Sequence, residues 1–281
     1  MSGDASSPVT APSRPVSGGI IVADPWTELR AHTAARIALG RTGSSLPTRE
    51  VLRFGFAHAE ARDAVHVPLD DEALHAALKA SGWETLQVRS AAPDRHTYLL
   101  RPDLGRKLDE DAAAKLDERA GDGCDVLFVV GDGLSSAAVQ RHAVPLLDAV
   151  RGRMPKSWRV GPVIVARQAR VALGDPLGER LRARLVAMLI GERPGLSSPD
   201  SLGVYITFDP KPGRTDADRN CLSNVRPEGL PYDDAAHRLV WLIQESFRLQ
   251  VSGVALKDRS DLLEIESSGS PSSPASSHPS R

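Results

Sequence analysis

The sequence predicts an α/β protein: a Rossmann-like, mostly parallel sheet domain preceded by a smaller, mainly helical N-terminal region. Helix-capping residues precede the apolar segments of the first quarter, and apolar strand segments alternate with helical segments in the second half. Such alternation is typical of βαβ units with parallel strands. We therefore expect a disordered arm at 1–18, a mainly helical region at 19–100, a Rossmann-like domain at 101–259 and a disordered Ser/Pro tail at 260–281.

The first region carries the signals of three helices. Helices are predicted over residues 24–39, 49–63 and 70–80. Asp24 and Thr48 stand where a side chain can cap the first turn, and Gly40 and Gly82 follow the first and third segments. Further along the chain, alternating apolar and polar residues predict strands at 84–89 and 96–101.

The second region alternates between the two kinds of element. Strands are predicted at 125–130, 162–165, 185–190 and 204–208. Helices are predicted at 104–119, 135–150, 176–182 and 232–249. Leu185–Ile190 consists of six consecutive apolar residues, which is typical of a strand buried on both faces of a parallel sheet.

Charge and cysteine content exclude several kinds of partner. The chain has 35 Lys and Arg against 36 Asp and Glu without a long block of one sign, which favours neither nucleic acid nor an anionic membrane. Cys124 and Cys221 are the only cysteines, which is typical of a reducing compartment and excludes a cysteine-based zinc site. No apolar run reaches the roughly 20 residues of a membrane span, and no leader segment is seen. We expect a soluble, cytoplasmic protein.

Three loops are predicted to open on one edge of the sheet, because the carboxyl ends of parallel strands meet there. They are Gly131–Ser135, Arg167–Val171 and Gly191–Arg193. The first resembles a phosphate-cradling turn before a helix. However, Ala137 and Ala138 replace the third glycine of a dinucleotide fingerprint, so an ordinary strand-to-helix turn is favoured.

Glu192 is the sharpest candidate for ligand binding in these loops. A carboxylate directly after a buried strand either accepts hydrogen bonds from a ligand or pairs with Arg193 and other arginines nearby. Cys221 has no general base fixed beside it by the sequence, so a packed free thiol is favoured over a nucleophile.

Catalytic and metal sites of common kinds are not indicated. His58, Asp63 and His66 lack the i, i+4 spacing of two helical metal ligands, which favours solvated side chains. No G-x-S-x-G motif is present, which removes the commonest serine hydrolase arrangement. We predict no catalytic residue and no metal ligand in this chain.

Five sequence blocks resemble, in order, the small (light) subunit of ethanolamine ammonia-lyase. They are Ala35–Gly43, Leu99–Arg106, Gly131–Ser135, Gly191–Leu196 and Ala217–Asn224. The resemblance covers about Asp24 to Leu256. It implies a non-catalytic subunit of a carbon–nitrogen lyase that converts ethanolamine to acetaldehyde and ammonia with adenosylcobalamin.

The resemblance also implies where the cofactor lies and what surrounds it. Cobalamin would lie between this chain and the large subunit, a TIM barrel that holds the substrate, in a hetero-oligomer that a bacterial microcompartment encloses in some members. Carried over position by position, the family's cofactor contacts fall on Val171, Glu192 and Cys221. The radical chemistry belongs to the cofactor.

The binding mode is predicted to be base-on, with dimethylbenzimidazole retained on cobalt. Proteins that replace this base with histidine carry Asp-x-His-x-x-Gly. The nearest match, Asp94–Leu99, lacks the glycine and leads into a predicted strand instead of following one. Two other functions stay open: a stand-alone Rossmann-like nucleotide-binding enzyme, and a purely structural assembly subunit. The first would need a phosphate fingerprint and a catalytic acid or base.

Overall fold

The computed structural model describes residues 21–22, 24–33, 35–119 and 121–261. The chain divides into two compact units, Met1–Ala57 and His58–Arg281. The arm predicted at 1–18, and the predicted tail from residue 262 onward, lie outside the described residues. At the start of that tail, Ser260 is buried and the Asp261 carboxylate pairs with Arg238 at 3.0 Å.

The helix predicted over 24–39 is wrong for most of its length. The described residues of this segment form only a short 3-10 turn, Thr27–Ala31, which buries none of its side chains. Ala38 and Gly40 both have positive φ angles, which a helix does not continue through. A short helix needs an apolar face packed against other elements, and this turn has none to stabilise it.

The described residues contain seven α-helices and six strands. The helices are α1 (Thr48–His66), α2 (Asp71–Ala80), α3 (Arg95–Leu100), α4 (Glu110–Asp117), α5 (Ser136–Arg151), α6 (Gly174–Arg180) and α7 (Tyr232–Leu249). The strands are β1 (Thr85–Arg89), β2 (Cys124–Gly131), β3 (Val163–Arg167), β4 (Ala183–Gly191), β5 (Leu202–Phe208) and β6 (Arg219–Val225). The α/β class is confirmed. Among the described residues, no helix has the length and apolar character needed to cross a membrane.

All six strands form one sheet in the order β1-β3-β2-β4-β5-β6. The pairings β1–β3, β3–β2 and β2–β4 are parallel, whereas β4–β5 and β5–β6 are antiparallel. The sheet is therefore mixed, with β5 alone reversed and β6 running in the same direction as β4. The Rossmann-like description stays a prediction.

Two local predictions fail for identifiable reasons. Residues 96–101 were expected to form a strand, but α3 occupies this segment because the Asp94 side chain accepts a hydrogen bond from the Thr97 amide at 2.8 Å and caps the helix. Strand β6 was not predicted, because Arg219–Val225 contains few apolar residues. Its place at the sheet edge requires only one apolar face.

The core lies on both faces of the sheet. Helices α2, α5 and α7 pack on one face, and α4 and α6 pack on the other. Along β4, Leu185, Ala187 and Leu189 face the first cluster, and the alternating residues Val186 and Met188 face the second. The prediction that Leu185–Ile190 is buried on both faces is confirmed.

Strand β6 is joined to α6 by a buried ion pair. Both nitrogens of the Arg219 fork donate to the Asp175 carboxylate, at 2.8 and 2.7 Å, and the two side chains are each 3% exposed. Arg219 also donates to the Thr207 hydroxyl on β5 at 2.7 Å. Removing one partner of such a pair leaves an uncompensated buried charge, which costs more than the pair itself contributes.

We predict that Arg219→Met lowers the free energy of unfolding by about 3–5 kcal/mol, because Asp175 would stay buried without its partner. Urea unfolding followed by tryptophan fluorescence measures this change. Arg248→Met is the matched control, since Arg248 pairs with Glu245 on an exposed helix surface and should cost less than about 1 kcal/mol. Equal effects of the two substitutions would contradict a structural role for the Arg219–Asp175 pair.

Candidate functional site

A cleft of about 420 Å³ opens at the carboxyl ends of β2, β3 and β4. It is lined by Tyr98, Gly133, Leu134, Arg170, Val171, Ile190, Gly191, Glu192, Arg193 and Tyr205. The predicted convergence of the three loops is therefore confirmed. The chain leaves β2 for β3 on one side and then crosses to β4 on the other, and ligands of open α/β sheets bind at such a reversal.

Two glycines bring the loops after β2 and β4 into direct backbone contact. The Leu134 amide donates to the Gly191 carbonyl at 2.9 Å. A Cβ atom on Gly133 would lie 2.2 Å from the Gly191 oxygen, and one on Gly191 would lie 2.0 Å from the Ser135 oxygen. Gly133 also has a φ of +57°. Larger residues would push the two loops apart.

The amino end of α5 is covered and does not face the cleft. The Ser135 hydroxyl accepts a hydrogen bond from the Ala138 amide at 3.3 Å and donates to the Pro199 carbonyl at 2.9 Å. Ser135 and Ser136 are both buried. This geometry favours the interpretation of Gly131–Ser135 as an ordinary strand-to-helix turn and not as a phosphate-binding loop.

A buried carboxylate, Asp132, ties the loop after β2 to the loop after β3. It accepts hydrogen bonds from the Gln168 amide at 3.0 Å and the Ala169 amide at 2.9 Å, and it also contacts the Arg95 guanidinium at 3.4 Å. Arg95 also donates to the Gly133 carbonyl at 2.7 Å. Burial raises the pKa of Asp132, while Arg95 and the amides act in the opposite direction.

Tyr98 on α3 supports the same loop from below the cleft. Its hydroxyl donates to the Ala169 carbonyl at 2.9 Å, and its side chain is fully buried. The guanidinium carbons of Arg95 and Arg170 lie 4.9 and 4.3 Å from the centre of the Tyr98 ring. Sequence reasoning missed Tyr98 because its segment was interpreted as a strand; the signal for a helix was the capping residue Asp94.

Glu192 is held by hydrogen bonds from its own chain. Its carboxylate accepts from the Ser201 hydroxyl, from the Ser223 hydroxyl at 2.6 Å and from the Asn224 amide at 3.2 Å. No described arginine pairs with it, so the alternative of an ion pair with Arg193 is not observed. A carboxylate has about four acceptor positions, so one stays available to a ligand in the cleft.

Of the other two predicted cofactor contacts, Val171 lines the cleft and Cys221 does not. Val171 begins the short 3-10 turn after β3 and lines the cleft together with Glu192. Cys221 lies opposite Tyr205 in the β5–β6 pairing, so it adjoins a cleft residue without lining the cleft itself. Desolvation and the neighbouring thiol raise the pKa of Tyr205, which keeps its hydroxyl protonated. Tyr205 is a cleft residue that the sequence patterns did not indicate, and Arg170 lies in a predicted loop without having been singled out.

We predict that Gly133→Ala lowers the free energy of unfolding by more than about 1 kcal/mol, because the new Cβ would meet the Gly191 carbonyl at a positive φ. Urea unfolding measures the change. The matched control is Gly55→Ala in α1, where a Cβ meets nothing within 4 Å; there a gain of about 0.5–1 kcal/mol is expected. A neutral Gly133→Ala would show that the loop contact is not tight.

Comparison with known proteins identifies the family. The family model described as "Ethanolamine ammonia-lyase light chain (EutC)" matches residues 23–257. Relatives from several bacteria carry the name "Ethanolamine ammonia-lyase small subunit". The relative from Azotobacter vinelandii is 54% identical over 251 residues, which cover 88% of this chain and 93% of the relative.

Two further relatives give the same result. The relative from Pseudomonas fluorescens (strain Pf0-1) is 56% identical over 248 residues, covering 87% of this chain and 90% of that protein. The relative from Ralstonia nicotianae is 54% identical over 250 residues, covering 88% and 93%. The match thus includes the sheet and the loops that form the cleft, and the chain belongs to the ethanolamine ammonia-lyase light-chain family.

Proposed function

We propose that this chain is the small subunit of an ethanolamine ammonia-lyase and contributes one wall of a cobalamin site that a large subunit completes. The observation that carries the proposal is the match over residues 23–257 at 54–56% identity to proteins named as that small subunit. The large subunit would bind ethanolamine and release acetaldehyde and ammonia.

The residues of the cleft fit one side of adenosylcobalamin. Glycine backbone at positions 133 and 191 permits close approach, Val171 and Tyr205 offer apolar contact, and Glu192 offers an acceptor for an amide side chain of the corrin. A cobalamin is larger than a cleft of about 420 Å³. Because binding sites usually bury most of their ligand, a second subunit is needed to cover the rest.

Base-on binding is the mode that the described residues favour. The cleft residues in the described part of the chain include no histidine that could replace dimethylbenzimidazole. His96, in the segment nearest to the histidine motif, is exposed on α3, and Asp94 is used as the helix cap. The chain therefore has a candidate surface for the cofactor without a cobalt ligand of its own.

In this proposal the cofactor and the large subunit carry out the reaction, and this chain contributes no catalytic residue. Adenosylcobalamin supplies the radical chemistry when bound. Within the cleft, Glu192 is fixed by three donors, and the hydroxyls of Tyr98 and Tyr205 have raised pKa values. Both tyrosine hydroxyls therefore stay protonated near neutral pH, and the Glu192 carboxylate is already engaged as an acceptor. Their role is to bind and orient the cofactor, with Val171 and Cys221 as further contacts.

We predict that neither this chain nor its large subunit alone converts ethanolamine to acetaldehyde, and that mixing the two with adenosylcobalamin restores turnover. A coupled assay that reduces acetaldehyde with NADH measures the rate, and co-purification measures the complex. Lyase activity of this polypeptide alone would overturn the proposal. Full activity of the large subunit alone would overturn it equally.

We predict that Glu192→Gln in the assembled complex weakens adenosylcobalamin binding about tenfold or more, because a charged acceptor contributes about 1.5–3 kcal/mol. Turnover at saturating cofactor should change less, since Glu192 moves no proton. Titration of activity against cofactor concentration separates the two quantities. An unchanged half-saturation with a collapsed maximal rate would contradict the placement of Glu192 against the corrin.

Ser223→Ala is the control for this experiment. It removes one of the three donors that hold Glu192 but keeps the negative charge. We expect a smaller loss of cofactor affinity than with Glu192→Gln. An equal loss in the two variants would mean that Glu192 acts by joining β4 to β6 and not by accepting a hydrogen bond from the cofactor.

A further inference from the structure

Arg170 is one of the two arginines that line the cleft. Its head group stacks on Tyr98 at 4.3 Å, and its Nη2 atom donates only a long hydrogen bond to the Tyr98 carbonyl, at 3.4 Å. Its Nε atom is buried and has no hydrogen-bond partner. Among the described residues, no carboxylate forms an ion pair with Arg170. A partly desolvated cation of this kind is unfavourable unless another group supplies negative charge.

Arg95 stacks on the same tyrosine as Arg170 but has a carboxylate partner. Its guanidinium stacks on the same Tyr98 ring, but it is paired with the Asp132 carboxylate at 3.4 Å. Asp132 is already engaged by two loop amides as well. Arg95 also has one buried nitrogen, Nη2, without a hydrogen-bond partner. The difference is the ion pair: the Arg95 charge is paired with Asp132, whereas Arg170 has no ion pair with a described carboxylate.

A second unbalanced guanidinium lies across the cleft. Arg193 follows Glu192 in the loop after β4 and lines the cleft. It is exposed and forms no ion pair with a described carboxylate. Glu192 does not neutralise it, because the Glu192 oxygens accept from Ser201, Ser223 and Asn224.

The spacing allows both side chains to reach one ligand group. Arg170 follows β3 and Arg193 follows β4, and β2 lies between these two strands. Their loops are thus separated by two strand spacings, or about 10 Å. Two arginine side chains that extend toward each other can span this distance around a bound anion.

We propose that Arg170 and Arg193 form an anion subsite that binds the phosphodiester in the nucleotide loop of the cofactor. This inference rests on the proposed function. The amide side chains of the corrin are neutral, whereas the phosphodiester carries a negative charge at the ligand periphery. Guanidinium matches phosphate oxygens with paired hydrogen bonds. The subsite makes this chain selective for the complete cofactor over a cobinamide, which lacks the nucleotide loop.

Direct binding measurements on the complex with the large subunit test this subsite. Isothermal titration calorimetry compares adenosylcobalamin with adenosylcobinamide for the wild type, Arg170→Met and Arg193→Met. Each substitution should weaken adenosylcobalamin binding about tenfold or more, since a charge-assisted hydrogen bond is lost. Adenosylcobinamide binding should change less than about twofold. Arg180→Met is the control, because Arg180 pairs with Asp117 outside the cleft, and it should alter neither affinity.

A second pair of variants tests charge without using the cobinamide. Arg193 is exposed, so its substitution leaves the fold intact. Arg193→Lys keeps the positive charge but loses the paired hydrogen bonds of the guanidinium, so it should lose less affinity than Arg193→Gln, which should lose about tenfold. Equal losses with Lys and Gln, or none with either, would overturn the subsite.

The outcomes separate this inference from the proposed function. A wild-type complex that does not bind adenosylcobalamin would overturn both. A complex that binds it normally, with arginine variants that weaken both ligands equally or neither, would overturn the anion subsite alone. Selective loss of adenosylcobalamin affinity supports the subsite.

Discussion

The hydrogen bonds of one buried carboxylate determine the shape of the cleft. Asp132 is almost fully inaccessible, so its charge must be met within the protein. Two backbone amides of the loop after β3 and the guanidinium of Arg95 meet it. The loop that carries Val171 is thereby fixed to the end of β2, while the close backbone contact of Gly133 with Gly191 fixes the end of β4. Electrostatic and steric constraints thus act together on the three loops of the site.

The elements with strong local signals could be predicted from the sequence. Leu185–Ile190 is buried on both faces because it lies at the centre of the sheet, as its apolar run indicates. The helices predicted at 70–80 and 135–150 correspond to α2 and α5, which the side chains of Asp70 and Ser135 cap. The failures have local causes as well. Strand β6 is stabilised by its pairing with β5 and by the Arg219–Asp175 ion pair. Neither contact produces a periodic pattern of apolar residues that could be recognised in the sequence.

The sequence predicted the loops that form the site, but it did not predict the residues that hold the side chains of these loops in place. The order of strands and loops was enough to bring Val171 and Glu192 into one cleft. The donors to Glu192 could not be predicted, because Ser201 and Ser223 reach it only through the antiparallel pairing of β4, β5 and β6. The role of Tyr98 was hidden for a similar reason: its ring contacts a loop more than 70 residues away in sequence.

The two cysteines differ in solvent exposure, so one of them can be labelled selectively. Cys124 is buried at the start of β2, and burial raises the pKa of its thiol to about 11. Cys221 is exposed beside Tyr205, although desolvation raises the pKa of its thiol as well. A maleimide fluorophore would therefore attach at Cys221 and leave Cys124 unmodified. Because this label would sit at the margin of the cleft, its rate of attachment and its emission would register whatever occupies the cleft, without an engineered cysteine.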